Sequence, residues 1–112
     1  MQLKPKRVKK RITDKAYLDA VAKLGCCLCS SPAEIHHVRT GEGLGQRAAD
    51  YRAIPLCAKH HRTGGKGTAI HAGRKAWDKA HGGEMYWLEH IWSILEIPES
   101  TREQWRSRQY DI

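Results

Sequence analysis

Apolar positions first fall into register between Thr13 and Leu24, where Tyr17, Leu18, Val21 and Leu24 share one face at helical spacing. Thr13 or Asp14 is placed to cap this predicted helix, and Gly25 follows as its stop. The pattern then breaks: residues 26–32, CCLCSSP, read as a turn. Ile35 and Val38 lie on an interrupted alternation, which predicts a short strand over 33–39. A glycine-rich loop, TGEGLGQ at 40–46, leads to a second short strand at 52–57, RAIPLC, in which Pro55 suits an edge or the strand's exit. AKHHR after Cys57 opens a helix that GGKGT at 64–68 interrupts. Residues 72–81 are helical in composition, and Gly82-Gly83 ends them. The most amphipathic stretch is 84–97, with Met85, Leu88, Ile91, Trp92 and Leu95 on one face and Pro98 as its stop. A last helix over 99–109 starts at Ser100, with Glu103 as capping-box partner, and contributes Trp105. The pattern predicts an α+β fold, mainly α, with helices around one small hairpin in a single domain over 13–112.

Composition narrows the core. With no Phe among 112 residues, Trp, Leu, Ile, Val and Ala must build it. Trp77, Trp87, Trp92 and Trp105 therefore read as core aromatics rather than a base-stacking platform, and His81 and His90 as ordinary helix positions.

Charge changes the picture further. Lys+Arg number 20 against 12 Asp+Glu, a formal +8, and six of those positive charges lie in Lys4, Lys6, Arg7, Lys9, Lys10 and Arg11. The basicity is thus an arm over residues 1–12 on a nearly balanced globule. Pro5 and mutual repulsion oppose a helix there. Such an arm points to a polyanion, DNA first and an anionic membrane surface second. A solubilising or localisation tail is the plainer alternative. No apolar run is long enough to cross a membrane, and the basic start has no apolar leader segment. The expected setting is the cytoplasm of a bacterial cell, with a phage or prophage as candidate source.

Cysteine and histidine carry the candidate chemistry. Cys26-x-x-Cys29 and Cys57-x-x-His60 each sit at a chain reversal, and two such knuckles supply the tetrahedral set that structural Zn²⁺ prefers. Disulfides or four unconnected thiols are the competing readings, and Cys27 could replace Cys26 in the first knuckle, although the x-x spacing favours Cys26 and leaves Cys27 as a small apolar filler. His36-His37, His61 and His71 then remain without a structural task. They are read as a second metal site, this one open to solvent.

Cys26-x-x-Cys29, His36-His37, Leu56-Cys57-x-x-His60-His61 and His71 together resemble the HNH endonuclease superfamily. Residues 35–77 are similar to the phage recombination-enhancement nucleases, which act with RecA. The resemblance implies a ββα-metal (HNH, His-Me finger) core with a structural zinc knuckle pair and flanking helices. It implies that His36, His61 and His71 ligate a catalytic divalent ion (Mg²⁺, Mn²⁺, Zn²⁺ or Ni²⁺) and that His37 is the general base. The family usually carries an Asn in the loop before the second strand, and this chain has no Asn at all. Asp50 and Arg52 are the nearest polar residues. Either Asp50 substitutes, as a loop brace or an extra metal ligand, or the site is degraded and binding has replaced cleavage.

The chemistry suits phosphodiester hydrolysis. A neutral imidazole with a pKa of about 6.5 accepts a proton from water at physiological pH. Imidazole ligands suit Zn²⁺, Ni²⁺, Co²⁺ and Mn²⁺, whereas Mg²⁺ wants a carboxylate, which makes Asp50 informative. Strict strand alternation separates His36 from His37, so both can border one cleft only at a twisted hairpin end. Gly41, Gly43, Gly45, Gly64, Gly65 and Gly67 allow close approach of a phosphate chain, with Arg39, Arg47, Arg62 and Lys66 flanking it. The rival reading is a non-catalytic zinc-stabilised nucleic-acid-binding module. A third is a small adaptor that recruits proteins through 84–97. Nothing in the sequence bears on oligomeric state.

Overall fold

A computed structural model of the chain describes residues 13–40 and 49–106. The basic arm (Lys4, Lys6, Arg7, Lys9, Lys10, Arg11) and the loop residues Gly41, Gly43, Gly45 and Arg47 lie outside the described residues.

Helix α1, Lys15–Lys23, starts at Asp14 rather than Thr13: the Asp14 carboxylate accepts from the Tyr17 N–H at 3.0 Å. Gly25, at φ +81°, turns the chain out of it. Strands β1, Glu34–His37, and β2, Ala53–Leu56, pair antiparallel with Glu34 opposite Leu56, Ile35 opposite Pro55, His36 opposite Ile54 and His37 opposite Ala53. In a two-stranded sheet both strands are edges, so the missing N–H of Pro55 costs no central ladder bond. Its carbonyl is used outward, accepting from the Cys27 N–H at 3.0 Å and docking the cysteine turn onto β2.

All four β2 positions are buried, because α1 packs on this strand from one part of the chain and the later helices from another. Beyond Cys57 the chain makes a single π-helical turn, Lys59–Thr63, closed by the Gly64 N–H on the Lys59 carbonyl at 2.9 Å. A Cβ on Gly64 would lie 2.5 Å from that carbonyl oxygen and 2.6 Å from Thr68 Cγ2, so only glycine lets the turn close. A 3₁₀ turn, Ile70–Ala72, precedes α2, Arg74–His81. The helix expected over 72–81 therefore begins later, after Gly73 redirects the backbone at φ +157°.

Helix α3, Glu84–Ile94, is three residues shorter than the apolar pattern predicts. Glu96 takes φ +59°, while its N–H bonds Ser93 O and the Ile97 N–H bonds Trp92 O, each at 3.0 Å. This is a Schellman termination, with Glu where glycine is usual. Helix α4, Glu99–Arg106, begins a residue before Ser100, since Thr101 and Arg102 N–H groups both bond Pro98 O at 3.0 Å. Ser100 thus lies in the first turn and is not its cap.

The core gathers Val21, Val38, Ile54, Leu56, Ile70, Leu88 and Ile91 around fully buried Trp77 and Trp92, with Trp87 and Trp105 packed against them. The tryptophans are core aromatics, as the sequence predicts. The described architecture is α+β, a two-stranded hairpin between helices. Among the described residues, no helix is long and apolar enough to cross a membrane.

Candidate metal centres

The first knuckle is a tight turn in which the Cys26 N–H bonds Ser31 O at 2.7 Å and the Ser30 N–H bonds Cys26 O at 2.8 Å. The second arises where β2 runs into the π-helical turn. Together they bring the ligand atoms of Cys26, Cys29, Cys57 and His60 within 4.8 Å of one another. Cys29 Sγ is 3.7 Å from Cys57 Sγ, and His60 Nδ1 is 3.6 Å from Cys26 Sγ and 3.2 Å from Cys57 Sγ. A tetrahedral ion with metal–sulfur bonds of about 2.3 Å requires sulfur–sulfur edges of roughly 3.8 Å and sulfur–nitrogen edges of roughly 3.6 Å. The group fits and could hold a metal ion such as zinc.

All four cysteines are free thiols, so the disulfide reading fails. Cys27 stands outside the group; burial pushes its thiol up to about 12, which suits an inert apolar filler. Cys29 goes the other way, down to about 6, chiefly through hydrogen bonds to the Ser31 hydroxyl and backbone. The ligating thiolate form is thereby favoured at neutral pH.

His60 and His61 are adjacent but serve different clusters. Across the π-helical turn His60 faces the sulfurs, while His61 joins His36 and His71. Their ligand atoms also lie within 4.8 Å of one another, with ring centroids 4.5 to 5.5 Å apart. The three arrive from β1, the π-helical turn and the 3₁₀ turn. Burial, aided by the two neighbouring imidazoles, lowers the pKa of His61 against the pull of Glu34, so the ring stays neutral and able to ligate.

Two of these rings have carboxylates on their far nitrogens. His61 Nδ1 lies 2.6 Å from Glu34 Oε1, and His36 Nε2 lies 2.8 Å from Glu84 Oε2. Carboxylate–imidazole pairs of this kind orient metal-ligating histidines and raise their basicity. His61 is left with Nε2, and His36 with Nδ1, for an ion. Glu34 is held in turn by Arg62, whose Nε and Nη2 donate to its two oxygens at 2.6 and 2.9 Å. Arg62 first and His61 second depress the Glu34 carboxyl to about 2. Arg62, expected to flank a phosphate chain, is therefore committed to orienting Glu34.

Glu84, the first residue of α3, is 1% exposed. Its Oε1 accepts from the Arg39 N–H at 3.1 Å, the Thr40 N–H at 2.8 Å and the Thr40 hydroxyl at 2.5 Å. Burial pushes this carboxyl up, but bonds from His36 and Thr40 outweigh it and hold the group ionised. A cleft of about 440 Å³ opens beside it, lined by His36, His71, Ile70, Glu84 and three cations, Arg39, Arg74 and Lys75.

His37 points the other way. It is absent from the three-histidine group, and among the described residues it does not line this cleft. Strand alternation holds here, and the expectation that both rings border one cleft is not met by this lining. His37 Nε2 instead lies 2.9 Å from Asp50 Oδ1, while Asp50 Oδ2 accepts from the Asp14 N–H at 2.7 Å. Asp50 is thus outside the metal group and acts as a brace, tying His37 to the start of α1. Arg52, 2% exposed, ties the exit of β1 to α4: Nη2 donates to Thr40 O at 2.7 Å and Nη1 to Trp105 O at 2.8 Å. Lys66 stands exposed on the turn between Gly65 and Gly67.

A sequence-family model described as protein of unknown function (DUF968) matches residues 1–96 of the chain. The chain belongs to the DUF968 family. No curated protein and no solved structure matches it. Every residue of both DUF968 clusters, and the carboxylates that orient them, falls inside the matched span, whereas α4 falls outside it.

Four contributors in this DUF968 chain escape a reading of the sequence: Glu34, Glu84, Arg74 and Lys75. Glu34 had a signal, since it shares a strand face with His36 two positions on. Glu84 had none, because an acid at a helix start is already explained by the helix dipole. Arg74 and Lys75 read as ordinary charges of a helix's first turn.

Proposed function

We propose that this chain is a metal-dependent DNA endonuclease of the HNH type, with the hairpin and the π-helical turn after it serving as a ββα-metal core. One observation carries the reading. Three imidazoles from three separate elements converge within reach of a single ion, at an open cleft lined by cations. A structural zinc needs no such second group, and a purely binding module needs neither it nor its orienting carboxylates. The proposed setting is a bacterial cytoplasm, in phage or prophage recombination or DNA processing, with a RecA filament as candidate partner.

A divalent ion held by His36, His61 and His71 would supply charge stabilisation at the scissile phosphate and the departing 3′-oxygen. The chain's own residues do the rest. Asp50 holds His37 with its proton on Nε2, which makes Nδ1 the basic nitrogen. Water adds to phosphorus as the P–O3′ bond breaks, its proton passes to His37, and the 3′-oxygen leaves as a hydroxyl with a proton from solvent. His37 is the last residue of β1, one position past the ligand His36, so in this reading the scissile phosphate would be seated across that strand end.

The test is plasmid nicking with Mg²⁺, Mn²⁺, Zn²⁺ or Ni²⁺, with and without a RecA filament. Wild type is expected to nick, His36→Ala to lose activity, and His37→Ala to fall about 10²- to 10⁴-fold, the usual range for a general base. Equal rates for wild type and His37→Ala, or no nicking under any condition, would favour the zinc-stabilised binding module. The position of His37 outside the cation-lined cleft is the observation on that side.

A further inference from the structure

We infer that Arg39, Arg74 and Lys75 form a subsite for a backbone phosphate of DNA, next to the three histidines. The inference rests on the nuclease reading for its substrate class, but its own observations are separate. The three cations come from two distant segments, the exit of β1 and the first turn of α2, yet line one cleft with His36 and His71. The backbone at Arg39 is pinned by its N–H on Glu84 Oε1, so its side chain starts from a rigid point beside the histidines.

Arg74 is only loosely engaged by protein carboxylates. It lies 3.7 Å from Asp78 Oδ2 and 3.7 Å from Glu84 Oε1, and 3.5 Å from the Thr40 hydroxyl. Those contacts are long for charge-assisted hydrogen bonds, which run to about 2.7–2.9 Å. A guanidinium has five N–H donors in a fork that fits two phosphate oxygens. Of the two carboxylate oxygens at 3.7 Å, Glu84 Oε1 is already shared among the Arg39 N–H, the Thr40 N–H and the Thr40 hydroxyl. Lys75 makes no ion pair among the described residues. The lining holds three cations and one buried carboxylate, and the cleft is open rather than enclosed, as a polymer requires. Cations on folded elements set the position of the strand relative to the histidines.

The probe is a fluorescein-labelled 15-base-pair DNA duplex, titrated by anisotropy on zinc-loaded protein with no other divalent metal, across a salt series. The double variant Arg74→Gln/Lys75→Gln is expected to bind roughly tenfold more weakly at 0.1 M salt. Its log Kd versus log salt slope should fall by up to ~1.8, at ~0.9 per lost phosphate contact. The charge-keeping pair Arg74→Lys/Lys75→Arg should recover most of that slope, which separates lost charge from lost folding. Wild-type affinity and slope in the Gln pair would overturn the subsite, even if wild type nicks DNA. Weakened binding in the Gln pair, restored in the charge-keeping pair, supports the subsite even if no protein nicks DNA, and in that case only the hydrolytic reading falls.

Discussion

Single side chains in this protein take their roles from what they touch. Asp50 is 4% exposed and spends its two oxygens on His37 and on the N–H of Asp14, the residue that caps α1. Removing it should harm both partners. Asp50→Ala is expected to lower nicking about 10- to 100-fold through a misoriented His37, as for other carboxylates behind functional histidines. It should also cost ~1–3 kcal/mol of stability, read by urea unfolding, because a half-buried N–H and an imidazole lose their acceptor. Asp50→Asn keeps an acceptor for Asp14, so it should retain most of the stability while still perturbing activity. A variant that loses stability and keeps full activity would show that Asp50 is a brace for α1 alone. That Asp50 meets His37 was not legible: the residues are separated by a loop, and nothing in the spacing favours brace over ligand.

The elements are short, and their ends are decided by local chemistry that the sequence displays unevenly. Asp14, Gly25, Gly64 and Gly82 mark real boundaries, since capping oxygens and side-chain-free turns act within a few residues. The apolar pattern misplaces the end of α3 because Leu95 and Ile97 continue it past the last helical residue, Ile94. Their burial is partial and comes from packing after the Schellman turn, not from helical phase. Glu96 occupies the left-handed position of that turn at φ +59°. Glu96→Gly should therefore stabilise the domain by about 0.5–1 kcal/mol, relief of left-handed strain exceeding the entropy lost with glycine. Thermal unfolding of the metal-loaded protein tests it; a lower melting temperature would contradict it. The π-helical turn at Lys59–Thr63 is the other end-effect with a consequence, because it splits the consecutive His60 and His61 between two clusters.

For the molecule as a whole, the cysteine cluster ties together elements that also meet in the core, where Cys26 and Cys57 are both buried. It links the turn after α1 to the end of β2, and through the His60–His61 peptide it also anchors the histidine group. A structural zinc contributes ~10–16 kcal/mol in small zinc peptides, comparable with the ~5–15 kcal/mol total stability of an ordinary domain. Strong chelation should thus unfold the protein, seen as loss of the far-ultraviolet circular dichroism signal and of its melting transition. Cys29→Ser should reduce bound zinc and destabilise the fold, whereas Cys27→Ser should keep zinc stoichiometry, since Cys27 lies outside the group. An unchanged melting transition in metal-free protein would remove this cluster from the account of stability.

Read by itself, the chain determined the order of its elements, both knuckles and the candidacy of His36, His61 and His71. The elements and knuckles obey short-range rules, namely apolar period, turn residues, and ligands three positions apart. The three histidines stood out because the knuckles left them without a structural task, and through the family resemblance. Tertiary structure alone gave Asp50 to His37, turned Arg62 onto Glu34 and brought Glu84 under His36 from 48 residues away. Those pairings depend on how α1 and α3 pack against β2, and the cost of burying an ionised group unpaired selects the partner only once the helices have closed around it.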